Sequence, residues 1–194
     1  FEGATGLPTG HNPILLPGVG AFGALMQALN QRGLSSTLKT LIAQGTPYLG
    51  ICVGLQVLFE ASEESPGCPG LGVLKGRVKK FTSDAKDSPI KIPQIGWNRI
   101  ALTQSGSPFD SLAHGAVYFV NSYVAAPEEA HQVLYQADYG GAFCAGVRSG
   151  NITAFQFHPE KSGDFGHQLL ATWVASVLTR THPNGTCQPG ALAT

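Results

Sequence analysis

The residue order predicts an α/β fold, an open mixed, mainly parallel sheet flanked by helices. Three observations carry this expectation. Short apolar runs at 14–16 and 48–51 are separated by two stretches of helical periodicity. The second run leads into a cysteine bracketed by glycines, Gly50-Ile-Cys52-Val-Gly54, and then into residues of helical composition. An amphipathic pattern after Asp164 closes the domain. The order strand, helix, helix, strand, helix calls for crossover connections and therefore parallel neighbours. In such sheets ligands collect at the carboxyl ends of the strands.

Composition bounds the function. A chain of 194 residues suits one domain with a sizeable core. Lys+Arg and Asp+Glu are 12 each, so no basic excess points to nucleic acid or to an anionic membrane. No apolar run approaches the roughly 20 residues that span a bilayer. The cysteines are Cys52, Cys68, Cys144 and Cys187. None form a Cys-x-x-Cys pair, which argues against a zinc site, and nothing suggests a disulfide framework. Asn151-Ile-Thr153 and Asn184-Gly-Thr186 match the glycosylation pattern and, without a signal peptide in view, are expected to be chance matches.

Residues 1–13, rich in Gly, Thr, Pro and Asn, form an irregular lead-in, and 14–16 is a short strand ending at Pro17. Gly18-Val-Gly20-Ala-Phe-Gly23 follows. Its spacing matches a dinucleotide fingerprint, but the ribose-binding acid expected roughly 20 residues on is missing. Residues 39–43 hold no Asp or Glu. Beside a thiol nucleophile such a loop has a better use. Its backbone N–H groups can approach a developing oxyanion with no side chain in the way.

Phe22, Leu25 and Leu29 mark a first helix stopped at Gly33. Leu38, Leu41 and Ile42 mark a second, begun near Ser35 or Ser36 and ended at Gly45. After the strand at 48–51, residues 55–61 are expected to be helical, and Ser62-Glu63-Glu64 reads as a solvated helix end. A Pro/Gly loop at 65–72 contains Cys68. Residues 73–81 form a strand with a basic outer face (Lys75, Arg77, Lys79), and 82–89 a polar hairpin loop or short insertion. Pro93 makes 90–102 an edge or broken strand, whose Trp97 is either core or surface. Residues 117–125, 132–139, 142–148 and 152–157 read as successive β segments, with a hairpin turn at 148–151. Asp164 is expected to cap a final helix with Leu169, Leu170, Trp173, Val174 and Val177 on its buried side. Residues 181–194 hold two prolines, two glycines and no periodicity. The expectation is one domain over 1–181 and a tail or linker over 182–194.

Two stretches carry chemistry. Around Cys52 the sequence reads as the thiol version of a strand–nucleophile–helix elbow. The tight turn strains the nucleophile's backbone, side chains at 50 and 54 would clash with it, and the sulfur reaches the positive end of a helix, which favours the thiolate. The competing reading is a small core residue. The second stretch is Phe155-Gln-Phe157-His158-Pro159-Glu160. A thiol nucleophile needs a base, and the base needs an orienting acceptor. Residues i and i+2 of an extended backbone share a face, so His158 and Glu160 are expected to hydrogen-bond while His158 faces Cys52.

These stretches, with Leu16-Pro-Gly-Val-Gly-Ala-Phe-Gly23, Gly96-Trp-Asn98, Tyr118-Phe-Val-Asn-Ser-Tyr123 and Lys161-Ser-Gly163, resemble the class I, triad-type glutamine amidotransferases. The finer resemblance is to the glutaminase components of imidazole glycerol phosphate synthase, from histidine biosynthesis. The segments occur in the family's order.

The resemblance implies an enzyme that hydrolyses glutamine to glutamate and ammonia. Cys52 would be the nucleophile, His158 the base and Glu160 its orienting acid. N–H groups of Gly18, Val19 and Val53 would form the oxyanion hole. Gln56, Glu64, Ser122 and Tyr123 would contact glutamine, with Glu64 on its α-ammonium group. Trp97, Tyr118 and Lys161 would face a (β/α)8 cyclase, separate or fused, that receives the ammonia. No metal or organic cofactor is implied, and the location would be the cytoplasm, or the plastid of a photosynthetic eukaryote. Asn121 departs from the family's usual His, at a position outside the triad. Relatives start with a strand and helix that have no counterpart before Phe1, so the sequence is expected to be truncated there. Two alternatives remain: a glutaminase serving another synthase, and a catalytically silent subunit that supports a partner. Retention of Cys52, His158 and Glu160 argues against the second; the missing strand partly favours it.

Overall fold

The computed structural model describes residues 12–82 and 90–181, the last two without their side chains. The expectations for the lead-in, for most of the 82–89 loop, for the tail and for Cys187 lie outside the described residues.

The elements run β1 (Ile14–Gly18), α1 (Phe22–Gln31), α2 (Leu34–Ala43), β2 (Tyr48–Cys52), α3 (Val53–Gln56), β3 (Ala61–Ser62), β4 (Gly76–Lys80), β5 (Gln94–Leu102), β6 (His114–Asn121), β7 (Tyr123–Pro127), β8 (Val133–Asp138), β9 (Ala142–Ser149), β10 (Ile152–Phe155) and α4 (Gly163–Thr181). The strands form one mixed sheet in the order β1-β2-β10-β9-β7-β4-β3, with β5 joined to β6 and β8, and β8 to β9. The sheet is mixed as expected, but its parallel part is confined to the pairs β1/β2, β2/β10 and β3/β4; the other pairs are antiparallel, so it is not mainly parallel. No helix among the described residues is long and apolar enough to cross a membrane.

Every residue of β2 is buried. A strand covered on both faces needs a continuous apolar run, which Tyr48-Leu-Gly-Ile-Cys52 supplies. Its parallel neighbours end level with it: Gly18 pairs with Cys52, and Phe155 with Ile51. Three strands distant in sequence thus deliver their last residues to one carboxyl edge, as expected for chemistry in a parallel sheet. Phe22, Met26 and Leu29 bury one face of α1. Phe155 and Phe157 stack with ring centroids 4.9 Å apart in an aromatic core shared with Tyr135 and Phe119.

Several local expectations are corrected. The helix after Cys52 is four residues long and does not reach 61. The carbonyls of Val57, Leu58, Phe59 and Glu60 are taken by N–H groups of residues 70–74, so no helical ladder can use them. Residues 73 and 74 serve this loop, and β4 is confined to 76–80. Pro93 precedes the first residue of β5, which pairs with β6 and, over Ile100–Leu102, also with β8; β5 is no edge over those residues. The chain breaks at Ser122, and β6 and β7 take different neighbours. In α4, Leu169, Trp173 and Val177 are buried but Val174 is exposed, and Asp164 lies in the first helical turn.

Candidate active site

Cys52 has φ 55° and ψ −111° and is the one non-glycine at positive φ among the described residues. Such a conformation costs on the order of 1–3 kcal/mol and persists only where surroundings over-determine it. Here they do. A Cβ on Gly50 would sit 2.5 Å from the Gly54 carbonyl oxygen, and one on Gly54 would overlap the Leu16 carbonyl oxygen of β1. The buried Tyr48 hydroxyl donates to the Gly54 carbonyl at 2.7 Å. The glycines at 50 and 54 are therefore what lets β1, β2 and α3 close around the thiol.

The first N–H of the helix favours the thiolate, as expected, but burial outweighs it in the resting protein. A four-residue helix carries little dipole, and burial pushes the Cys52 thiol up to about 11. The Val53 N–H, hydrogen-bonded to the sulfur, pulls the other way; the Glu160 and Glu64 carboxylates push it further up, and Lys161 lowers it.

The thiol opens into a cavity of about 280 Å³. Of the residues singled out from the sequence, Val53, Gln56, Glu64, Ser122 and Tyr123 line it with Cys52. Gly20, Pro93, Val120 and Asn121 complete the wall. Larger hollows of about 430 and 320 Å³ lie elsewhere on the sheet, and neither contains a residue of this cluster. Asn121 is buried, and its Nδ2 donates to the Tyr123 carbonyl at 3.1 Å. Gly18 stands opposite Cys52 in the β1/β2 register, whereas Val19 is 82% exposed.

Glu64 does not end a helix. It follows β3, and its Oε2 accepts the Phe22 N–H at 2.7 Å, at the first residue of α1. Ser65 Oγ accepts the next N–H, that of Gly23, at 3.1 Å. Ala21, the N-cap residue, offers no side-chain cap, so residues 64 and 65 supply one from a distance. A carboxylate at a helix start is favoured by the dipole, the reverse of the setting expected from the sequence.

His158 Nδ1 lies 2.8 Å from Glu160 Oε1. The pair forms as expected, by a different geometry. β10 ends at Phe155, and Pro159–Lys161 is a 3-10 turn, so the two side chains meet across that turn. The His158 N–H donates to the Tyr118 carbonyl at 2.9 Å. Ser162 Oγ donates to the His158 carbonyl at 2.6 Å and accepts the Tyr118 N–H at 3.0 Å. With Nδ1–H donated to Glu160, a neutral ring keeps its lone pair on Nε2. His158 lies three residues beyond the Phe155–Ile51 pair, on the edge that carries Cys52.

Gln156 was missed from the sequence. It is fully buried, its Oε1 accepts from Gln56 Nε2 at 3.0 Å, and its Nε2 donates to Cys52 Sγ at 3.8 Å. The available signal was an amide between two phenylalanines in an apolar strand, since a buried amide has to find partners.

Trp97 belongs to the surface: it is 59% exposed and meets Tyr118 edge-on at 6.0 Å. Ile95 and Val120, its neighbours on paired strands, are also exposed, as is Lys161.

The chain matches the family described as "Glutamine amidotransferase class-I" over residues 9–177. "Imidazole glycerol phosphate synthase subunit HisH" of Herpetosiphon aurantiacus is 44% identical over 168 residues, 86% of this chain and 77% of that protein. The protein of the same name from Thermosynechococcus vestitus is 46% identical, over 84% of this chain and 78% of its own. The chloroplastic "Imidazole glycerol phosphate synthase hisHF" of Arabidopsis thaliana is 39% identical over 87% of this chain and 28% of its own length. Among solved structures, one described as a glutamine amidotransferase superposes with a TM-score of 0.62 at 21% identity, covering 84% of this chain and 77% of that one, a likeness of fold.

Proposed function

Because the chain belongs to the class-I glutamine amidotransferases, and among them to the glutaminase subunits of imidazole glycerol phosphate synthase in histidine biosynthesis, we propose that its cavity hydrolyses glutamine through Cys52, His158 and Glu160. The observation that carries the reading is convergence. A strained cysteine shares one small cavity with Gln56, Glu64, Ser122 and Tyr123, and a His–carboxylate pair leaves the neighbouring strand at the same edge.

Cys52 Sγ attacks the side-chain carboxamide carbon of glutamine while His158 Nε2 takes the thiol proton. Burial keeps the thiol protonated before attack, so His158 has to remove that proton for the sulfur to react. The tetrahedral oxyanion is met by the Val53 N–H and by N–H groups of the Gly18–Val19 loop. Collapse breaks the C–N bond, His158 returns the proton to the leaving nitrogen, and ammonia departs from a thioester. Water, deprotonated by His158, hydrolyses the thioester to glutamate and frees the thiol. Glu160 holds the imidazole in the tautomer these steps need. Glu64 meets the α-ammonium group of glutamine, and Gln56, Ser122 and Tyr123 fix the rest. No metal or organic cofactor enters the steps.

The ammonia passes to a (β/α)8 cyclase. The exposed Ile95, Trp97 and Val120, with the half-buried Tyr118, make an apolar face beside the cavity, with Lys161 near it, the kind of patch that a partner covers. Residues 1–181 form the glutaminase domain and 182–194 a tail or linker. The setting is the cytoplasm, or the plastid in a photosynthetic eukaryote.

Labelling by a glutamine-like chloroketone tests the site, with peptide mapping and Cys52→Ser as control. Modification of Cys52 that glutamine blocks is the expected result. A folded sample that resists labelling, or labels equally with glutamine present, overturns the proposal.

A further inference from the structure

We infer that Gln156 is a catalytic residue that donates from Nε2 to the Cys52 sulfur and holds the thiolate, with Gln56 fixing which end of its amide faces that sulfur. The inference deepens the reading above, since it takes Cys52 as the nucleophile.

Gln156 follows Phe155, whose partner in the parallel β2/β10 register is Ile51, so it leaves the sheet beside Cys52. Phe155 and Phe157 on either side of it are fully buried, and so is Gln156 itself. Without solvent, the amide must be satisfied by its neighbours. Those are Gln56 Nε2 at 3.0 Å and Cys52 Sγ at 3.8 Å. An amide has one accepting end and one donating end, and which points where follows from the network. Gln56 Nε2 carries protons only. One goes to the Tyr123 carbonyl at 3.2 Å, and the other can meet only the oxygen of Gln156. The nitrogen of Gln156 is thereby turned onto the sulfur. A bond to a neutral thiol is weak; once the proton leaves, it becomes charge-assisted and shortens. The amide thus stabilises the sulfur when negative charge develops there, in a site where the Glu160 and Glu64 carboxylates oppose that charge. Because Gln56 also lines the cavity, whatever displaces its amide loosens the donor on the thiol.

The test is the rate at which iodoacetamide alkylates Cys52 at pH 8, followed by peptide mapping. Losing the donor in Gln156→Met raises the thiol pKa by about one unit; the thiolate fraction falls roughly tenfold, partly offset by greater nucleophilicity, giving about three- to fourfold slower alkylation. Gln156→Glu, which puts a like charge in the same volume, is expected to be slower still. Gln56→Met leaves Gln156 in place but frees its amide to turn, and is expected to slow alkylation about twofold; this variant carries the test if Gln156→Met does not fold. In the double variant Gln56→Met adds nothing further. A merely structural role predicts the opposite sign, because loosened packing exposes the sulfur and speeds alkylation. Unchanged or faster alkylation in folded variants overturns the inference. If the wild-type protein lacks glutaminase activity with the cyclase present, the functional proposal fails, while the alkylation series still reports on Gln156.

Discussion

The Tyr48 hydroxyl donates to the Gly54 carbonyl at 2.7 Å and ties the first residue of the strand that delivers Cys52 to the helix that carries the chain away. Tyr48 is fully buried, and burial holds its phenol well above the usual range, so the donor persists across the working pH. Tyr48→Phe leaves the Gly54 carbonyl without that partner and is expected to lower stability by about 1–3 kcal/mol. Denaturant unfolding measures it; a loss under about 0.5 kcal/mol would mean the bond contributes little.

Gly54→Ala is expected to be far more severe. The added Cβ overlaps the backbone oxygen of Leu16, and neither partner is a side chain that can turn away. The cost is comparable to the whole stability of a domain, about 5–15 kcal/mol, so the variant should lack cooperative unfolding by circular dichroism. A cooperative transition near the wild-type midpoint would contradict the clash.

Glu160→Gln keeps the shape of the pair but removes the charge that holds the His158 ring, 2.8 Å away. Glutaminase kcat is expected to fall by about 10²–10⁴-fold with KM changed little, by analogy with serine triads that lose their carboxylate. Steady-state kinetics with the cyclase present decides it; a KM effect alone would place Glu160 in binding.

Stability should fall as the solution becomes alkaline. Burial raises Cys52 to about 11 and Cys144 to about 12, each from 9.0. Between those values the native state keeps protons that the unfolded chain has lost. The contribution is therefore complete below pH 9.0 and is lost as pH rises toward 11 and 12. Each thiol contributes a slope of about 1.4 kcal/mol per pH unit in that window. Unfolding of Cys144→Ser from pH 8 to 10.5 should show the shallower slope; identical slopes would remove Cys144 from the account.

Trp97→Ala probes the apolar face. A side chain 59% exposed and edge-on to Tyr118 should change stability by no more than about 0.5–1 kcal/mol. Affinity for the cyclase, read by titration calorimetry, should weaken by roughly 2 kcal/mol or more, as for an aromatic anchor. Unchanged affinity would move the interface elsewhere.

Much of this was legible in the chain because the constraints are local. Glycines at 50 and 54 announce a backbone that cannot carry a Cβ, and the fully apolar run at 48–51 announces a strand covered on both faces. The errors arose where a distant segment outbid a local tendency. Residues 57–60 have helical composition, but their carbonyls are claimed by N–H groups of 70–74. Glu64 looked like a frayed helix end and instead caps a helix that starts 42 residues earlier. Val174 fits the helical stripe of α4, yet the described residues leave about half of it exposed. Gln156 and Cys52 are 104 residues apart, and no window of sequence shows that an amide and a thiol will meet.

That separation also sets when the site comes into being. Gly18 and Cys52 end two strands and His158 follows a third, and the pairing of these strands joins residues more than thirty to more than a hundred positions apart. A contact of such range cannot form before its later strand has been synthesised. A chain emerging from the ribosome presents its cysteine long before β10 exists to flank it, so a half-made copy has the thiol without His158. Under the proposed mechanism, ammonia release would then wait for the finished molecule, a consequence of strand order.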